Sequence, residues 1–268
     1  MKIVRIGFFD SGIGGITVLH QALRFLPNED YIFYADTLHV PYGEKPKEEV
    51  REYIFNAVDF MANQGIKALV IACNTATSIA VDDLRKKYDF PILGIEPAVK
   101  PAVENCEGKR KKVLVLATSL TLKEEKFHNL VKRIDRHDIV ESLPLPGLVE
   151  FAENFEFKEE KVVPYLKEKL SSFDLKQFGT VVLGCTHFPY FENSIKKIFP
   201  KDVDIISGSI GTAKNLKRVL EANNQMNDGT GDIKFFKSGY EVEDKETLSA
   251  YNELLVLLDR MSSITTLV

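Results

Sequence analysis

Short apolar runs recur along this chain, each ended by small or polar residues, and amphipathic stretches of helical period fall between many of them. Residues 3–9 form such a run and stop at Asp10-Ser11-Gly12, Tyr31–Tyr34 stops at Asp36, and Ala68–Ala72 stops at Cys73. Pro91–Ile95, Val113–Ala117, Thr180–Gly184 and Ile233–Phe236 repeat the form; Ile139-Val140 opens another, with Pro144 and Pro146 just beyond. The spacing predicts helices over Thr17–Phe25, Pro46–Asn63, Ser78–Lys87, Lys158–Leu170 and Glu246–Met261, and a polar surface loop over Asn223–Asp232. Strand-then-helix alternation of this kind predicts an α/β fold with mostly parallel sheets flanked by helices. Right-handed crossovers then gather the carboxyl ends of the strands on one edge, where ligands bind.

Two of the runs share more than a strand. Leu69-Val70-Ile71-Ala72-Cys73-Asn74-Thr75 and Val181-Val182-Leu183-Gly184-Cys185-Thr186-His187 each read as a buried strand, a small residue, a cysteine and then hydrogen-bonding residues. An earlier strand in each half echoes too, one ending in Asp10-Ser11 and the other in Thr118-Ser119. With 268 residues, 44% of them hydrophobic, the chain is long enough for two such α/β units. A free cysteine is ordinarily a small core residue. At a strand's carboxyl end, however, the thiol points towards the ligand edge, and two at matching ends suggest paired chemistry.

The third cysteine, Cys106, has no strand before it and is read as non-functional. An odd count of three argues against a disulfide framework, and no CxxC or HxxxH spacing marks a metal site. The balance of 35 basic against 39 acidic residues, net charge −4, leaves no electrostatic footprint for nucleic acid. No stretch has the roughly 18 apolar residues of a membrane span, and no signal peptide or lipidation motif is present, so a cytoplasmic protein is expected. Gly12, Gly14 and Gly15 resemble a phosphate cradle, but no Lys-Ser/Thr follows them.

Removing a proton from one face of an amino acid's Cα and returning one to the other face calls for a catalytic group on each side. Thiols suit this work, because their ordinary pKa of about 8.5 lies near neutrality. A helix starting just after each cysteine would favour the thiolate through its N-terminal dipole. Asn74, Thr75, Thr186, Ser11 and Thr118 could bind a carboxylate; Asp10 suits an ammonium group or the tuning of Cys73, and His187 suits the tuning of Cys185. Asp-Ser-Gly after a strand is also an ordinary helix cap, and a lone histidine is often structural. A cysteine hydrolase using His187 and a two-lobed amino-acid-binding protein are the alternatives. The first leaves Cys73 unexplained.

Four motifs, Asp10-Ser11-Gly12-Ile13-Gly14-Gly15, Pro41-Tyr42-Gly43, Cys73-Asn74-Thr75-Ala76 and Gly184-Cys185-Thr186-His187, resemble in order and spacing the signatures of the glutamate racemases, within the aspartate/glutamate racemase superfamily. The resemblance runs from about Ile6 to Ala213. It implies cofactor-independent racemisation with no metal, Cys73 deprotonating D-glutamate and Cys185 L-glutamate, with Asp10 and His187 as auxiliary acid–base groups. It implies substrate-binding positions at Asp10, Ser11, Pro41, Tyr42, Gly43, Asn74, Thr75, Thr118, Thr121 and Thr186, with the family's glutamate at Glu150. It also implies two pseudosymmetric α/β lobes, residues 1–97 plus 212–268 and residues 98–211, with the active site between them. A homodimer supplying D-glutamate for peptidoglycan is the implied setting. The chain departs from the pattern at Ala117-Thr118 (usually Gly-Thr), at Glu124 and Phe127 (Ser and Tyr), and at Ser207-Gly208 (Asp-Ser).

Overall fold

A strand buried on both faces must be apolar on both, and Ile6–Asp10 (β1) is buried at every residue. In the computed structural model, which describes residues 4–265, β1 lies inside a six-stranded sheet. Ile3, where the first apolar run begins, falls outside the described residues. Tyr31–Ala35 (β2) and Ala68–Ile71 (β3) flank β1 in parallel, with Phe8 opposite Phe33 and Phe9 opposite Ile71. Ile92–Gly94 (β4) extends the sheet beyond β3. Ile16–Phe25 (α1), Lys47–Asn63 (α2) and Asn74–Lys87 (α3) make the connections.

After Val99–Cys106 (α4) the pattern restarts. Lys112–Ala117 (β5) is flanked in parallel by Val140–Pro144 (β6) and Phe178–Leu183 (β7). Between them run Ser119–Lys123 (α5), Glu125–Ile134 (α6), Pro146–Glu153 (α7) and Glu159–Lys169 (α8). Glu192–Lys196 (α9) leads to Asp204–Ser207 (β8), which closes the second sheet. Ser209–Ala222 (α10) returns to pack on α1. Ile233–Lys237 (β9) joins β2 in parallel, Tyr240–Glu241 (β10) pairs antiparallel with β9, and Lys245–Thr265 (α11) ends the described chain.

The strand orders carry the internal echo into three dimensions. The first sheet reads β10-β9-β2-β1-β3-β4 and the second β6-β5-β7-β8. The order β2-β1-β3-β4 is therefore repeated as β6-β5-β7-β8. Chain direction across the sheet reverses at β1 and again at β5, and the crevice beyond the strand ends at such a switch point is where α/β folds bind ligands. Asp10 and Cys73 mark that crevice in one lobe, Thr118 and Cys185 in the other.

Several elements differ from the sequence expectation, each for a local reason. Helix α3 starts at Asn74 rather than Ser78, because Cys73 is its N-cap and the thiol sulfur accepts the Ala76 N–H at 3.4 Å. Strand β6 runs through Pro144, which a sheet edge tolerates because no ladder hydrogen bond is required there. No α-helix follows Cys185 directly: a 3-10 turn, Phe188–Phe191, comes first, so the expected dipole is absent on that side. Helices α4, α5, α6, α7, α9 and α10 lie outside the five predicted stretches; in α6 only Phe127 is buried.

One buried cluster runs continuously from lobe to lobe, and on the other side Leu120 of α5 packs against the first-lobe cluster of Phe9, Tyr42 and Ala76. Ile6, Phe8, Ile13 and Leu19 of the first lobe share one buried cluster with Leu116, Phe188 and Tyr190 of the second. The Tyr190 hydroxyl donates to the Ile13 carbonyl at 2.9 Å within it. Among the described residues no helix is long and apolar enough to cross a membrane.

Candidate active site

Asp10 is fully buried at the end of β1. Its Oδ2 accepts the Gly12 N–H at 3.1 Å and the Gly15 N–H at 2.9 Å, and the Thr186 hydroxyl donates to its Oδ1 at 3.3 Å. Burial drives the carboxyl pKa up to about 6, against the opposing pull of His187 and the two N–H groups. Close approach at this crossing requires Gly14, where an added Cβ would sit 2.4 Å from His187 Nδ1.

Cys73, 5% exposed, donates to the Ser11 hydroxyl oxygen at 3.8 Å. Burial pushes its thiol well above the usual range, and the neighbouring Asp10 carboxylate adds to this. Cys185 is also near enough to repel a Cys73 thiolate. Asn74, also buried, donates to the Ile95 carbonyl at 3.4 Å, while its Oδ1 is a buried acceptor with no protein partner.

Cys185, 6% exposed, lies at the matching strand end with His187 Nδ1 3.7 Å from its sulfur. The other ring nitrogen, Nε2, meets Glu153 Oε1 at 2.6 Å. Burial disfavours an imidazolium at His187, but the Cys185 and Glu153 contacts outweigh it and lift the pKa well above the ordinary value. The same Glu153 oxygen accepts the Ile13 N–H at 2.9 Å, tying α7 to the first-lobe loop. The expected Glu150 is not at the site. It is exposed on the outer face of α7, whereas Glu153, one turn on, points inward.

Three hydroxyls meet where α3 faces α5. Thr75 Oγ1 is 3.0 Å from both Thr118 Oγ1 and Thr121 Oγ1, and the last two are 2.9 Å apart. Pro41 leads into a 3-10 turn, Tyr42–Glu44, lying against α5. A Cβ on Gly43 would approach Thr118 Cβ to 2.6 Å. The buried Tyr42 hydroxyl donates to Asp36 Oδ2 at 2.5 Å, so this side chain is committed to Asp36. Asp36 also holds His39 Nδ1 at 2.9 Å and the Ser238 hydroxyl at 2.9 Å.

The structure thus gathers Asp10, Ser11, Cys73, Asn74, Thr75, Thr118, Thr121, Cys185, Thr186 and His187 about the interlobe crevice, with Pro41, Tyr42 and Gly43 at its rim. Sequence reasoning missed Glu153 and the role of Asp36. Cys106 is apart from this group: its thiol donates to Thr180 Oγ1 at 3.4 Å inside the second lobe. Among the described residues no three His, Cys, Asp or Glu side chains are grouped to hold a metal ion.

The Asp/Glu/Hydantoin racemase family model matches residues 17–213. A protein of Bacillus subtilis strain 168 named glutamate racemase 2 is 67% identical over 256 residues, covering 96% of this chain and 97% of the relative. Among solved structures, a Bacillus anthracis glutamate racemase is 32% identical with a TM-score of 0.76, covering 88% of each chain. A Francisella tularensis glutamate racemase in complex with D-glutamate is 28% identical with a TM-score of 0.79, covering 95% of this chain and 94% of that one.

Proposed function

The chain belongs to the Asp/Glu/Hydantoin racemase family and racemises glutamate without pyridoxal phosphate, and from that premise we propose that Cys73 and Cys185 pass the Cα proton across the substrate. One cysteine, as thiolate, takes the proton from one face and becomes a thiol. The other, as thiol, gives its proton to the opposite face and becomes a thiolate. The inverted amino acid leaves, and proton exchange with solvent restores the starting state. Cys73 acts on D-glutamate and Cys185 on L-glutamate.

The observation that carries this reading is the pair of thiols at equivalent strand ends of two lobes with the same strand order, joined through Ser11 to Cys73 and through Asp10 to Thr186. Thr75, Thr118, Thr121, Ser11 and Thr186 supply hydroxyls for the substrate carboxylates, with Gly43 set against Thr118 beside them. The unpartnered Asn74 Oδ1 and the Asp10 carboxylate suit the α-ammonium group. A substrate cation there offsets the negative charge of Asp10, which otherwise opposes a Cys73 thiolate. On the other side a protonated His187, held by Glu153, sets a positive charge beside Cys185.

The two-lobe division into residues 1–97 plus 212–268 and 98–211, a homodimer, a cytoplasmic location and a role in supplying D-glutamate for peptidoglycan belong to the same proposal. The test is incubation with single enantiomers in deuterated water. Wild type should racemise either enantiomer of glutamate and wash deuterium into Cα, and Cys73→Ser and Cys185→Ser should each abolish racemisation. Full racemisation by either variant defeats the two-thiol mechanism, and activity on aspartate alone defeats the substrate assignment.

A further inference from the structure

The two sides of the lobe interface are built differently. On the α1 side the lobes share an apolar core through Ile13 and Tyr190. On the α3 side Leu120 packs against the first-lobe cluster, and three successive polar contacts join the lobes beside it. Innermost are the hydroxyls of Thr75, Thr118 and Thr121. Next, Lys47 Nζ of the first lobe meets Glu124 Oε2 of the second at 2.7 Å. Outermost, Lys126 Nζ of the second lobe lies 3.1 Å from Asp82 and 3.7 Å from Glu96.

We propose that Lys47 and Glu124 are a positioning pair, a clasp that sets how firmly the lobes close over the two thiols. Both partners are tied closely to the site. Lys47 opens α2, a short step after the Tyr42–Glu44 turn that lies against α5. Glu124 follows α5, three residues after Thr121. Joining them presses Gly43 towards Thr118 and Thr75 towards Thr121, the contacts that shape the crevice.

The burial is asymmetric. The Glu124 side chain is 8% exposed and the Lys47 side chain 47%. A carboxylate this buried needs its partner, whereas opening the lobes would return both groups to water. The clasp therefore stabilises closure modestly and reversibly, as a lid over a turning-over site requires.

The kinetic consequence rests on the proposed racemisation, but closure itself does not. Two readouts keep them distinct. The first is the rate at which iodoacetamide labels Cys73 and Cys185 without substrate, located by peptide mapping; both thiols are nearly buried and react only when the lobes part. The second is KM and kcat for each enantiomer.

Lys47→Met should label about threefold to tenfold faster than wild type and raise KM by a similar factor. Glu124→Gln should behave alike, and Lys47→Arg should stay near wild type. Added salt should speed labelling of wild type more than of Lys47→Met. Wild-type labelling rates in both Lys47→Met and Glu124→Gln overturn the clasp, as does equal acceleration by Lys47→Arg and Lys47→Met, which would assign the effect to packing. A wild type without racemase activity would remove the proposed function while the labelling rates still decide the clasp.

Discussion

Asp10 is a buried carboxyl whose pKa burial raises from the ordinary 3.8 to about 6. The native state therefore holds its proton more tightly than the unfolded chain does. The stability that this proton confers is fully present below about pH 4 and is lost as pH rises towards the folded value. At about 1.4 kcal/mol per pH unit, ionising Asp10 in place costs about 3 kcal/mol by neutral pH. That is a large share of a typical domain's 5–15 kcal/mol.

Asp10→Asn removes the charge and keeps the shape. The amide oxygen can still accept the Gly12 and Gly15 N–H groups, and the amide nitrogen can donate to the Thr186 hydroxyl. The variant should match wild type in urea unfolding near pH 4 and exceed it by up to about 3 kcal/mol near pH 7.5, while losing racemase activity. The growth of the difference with pH is the diagnostic. A variant less stable than wild type at neutral pH, or a constant offset between the two, would refute the claim that burial of charge dominates at Asp10.

Two further substitutions probe the crevice. Glu153→Gln keeps an acceptor for the Ile13 N–H but removes the charge that helps raise the His187 pKa against burial. The His187 titration, followed by NMR, should move to lower pH, and the stability that imidazolium binding confers, present below about 6.5 and lost as pH rises through the folded value, should end earlier; an unmoved titration would deny Glu153 this role. Gly43→Ala places a Cβ 2.6 Å from Thr118 Cβ across the crevice, at a position where the backbone needs no left-handed conformation. It should leave the fold intact by circular dichroism and lower kcat/KM on the order of 100-fold, and near-normal kinetics would mean that the lobes need not approach so closely.

The strands that carry the site were legible because they are buried on both faces. β1, β3, β5 and β7 read as mainly apolar runs, and their ends gave Asp10, Cys73, Thr118 and Cys185. What the sequence concealed was which face of a second-lobe helix meets the first lobe. In α7 the buried residues are Leu148, Val149 and Ala152. Glu153 lies four residues after Val149 and shares its face, whereas Glu150 lies outside that stripe. A carboxylate on an apolar stripe was the available signal, and it needed the helix boundaries to be seen. Glu124 had no such signal, because its partner Lys47 comes from another lobe and only docking brings them together.

The repeated strand order makes the two thiols equivalent in position, but their surroundings divide them. Cys73 caps a long helix, yet it shares its pocket with the Asp10 carboxylate, and burial holds its proton on. Cys185 has no α-helix directly behind it and has instead the His187–Glu153 pair. This inequality cannot favour one product, since L- and D-glutamate have the same free energy in water and kcat/KM must be equal in the two directions. Any difference between the thiols is therefore confined to how kcat and KM divide, each scaled by the same factor between enantiomers. Stabilising one protonation state of the free enzyme raises the cost of starting from the other and changes saturation, not the equilibrium. Under the proposed mechanism the asymmetric settings of Cys73 and Cys185 therefore show in how kcat and KM divide between the enantiomers and not in the product ratio.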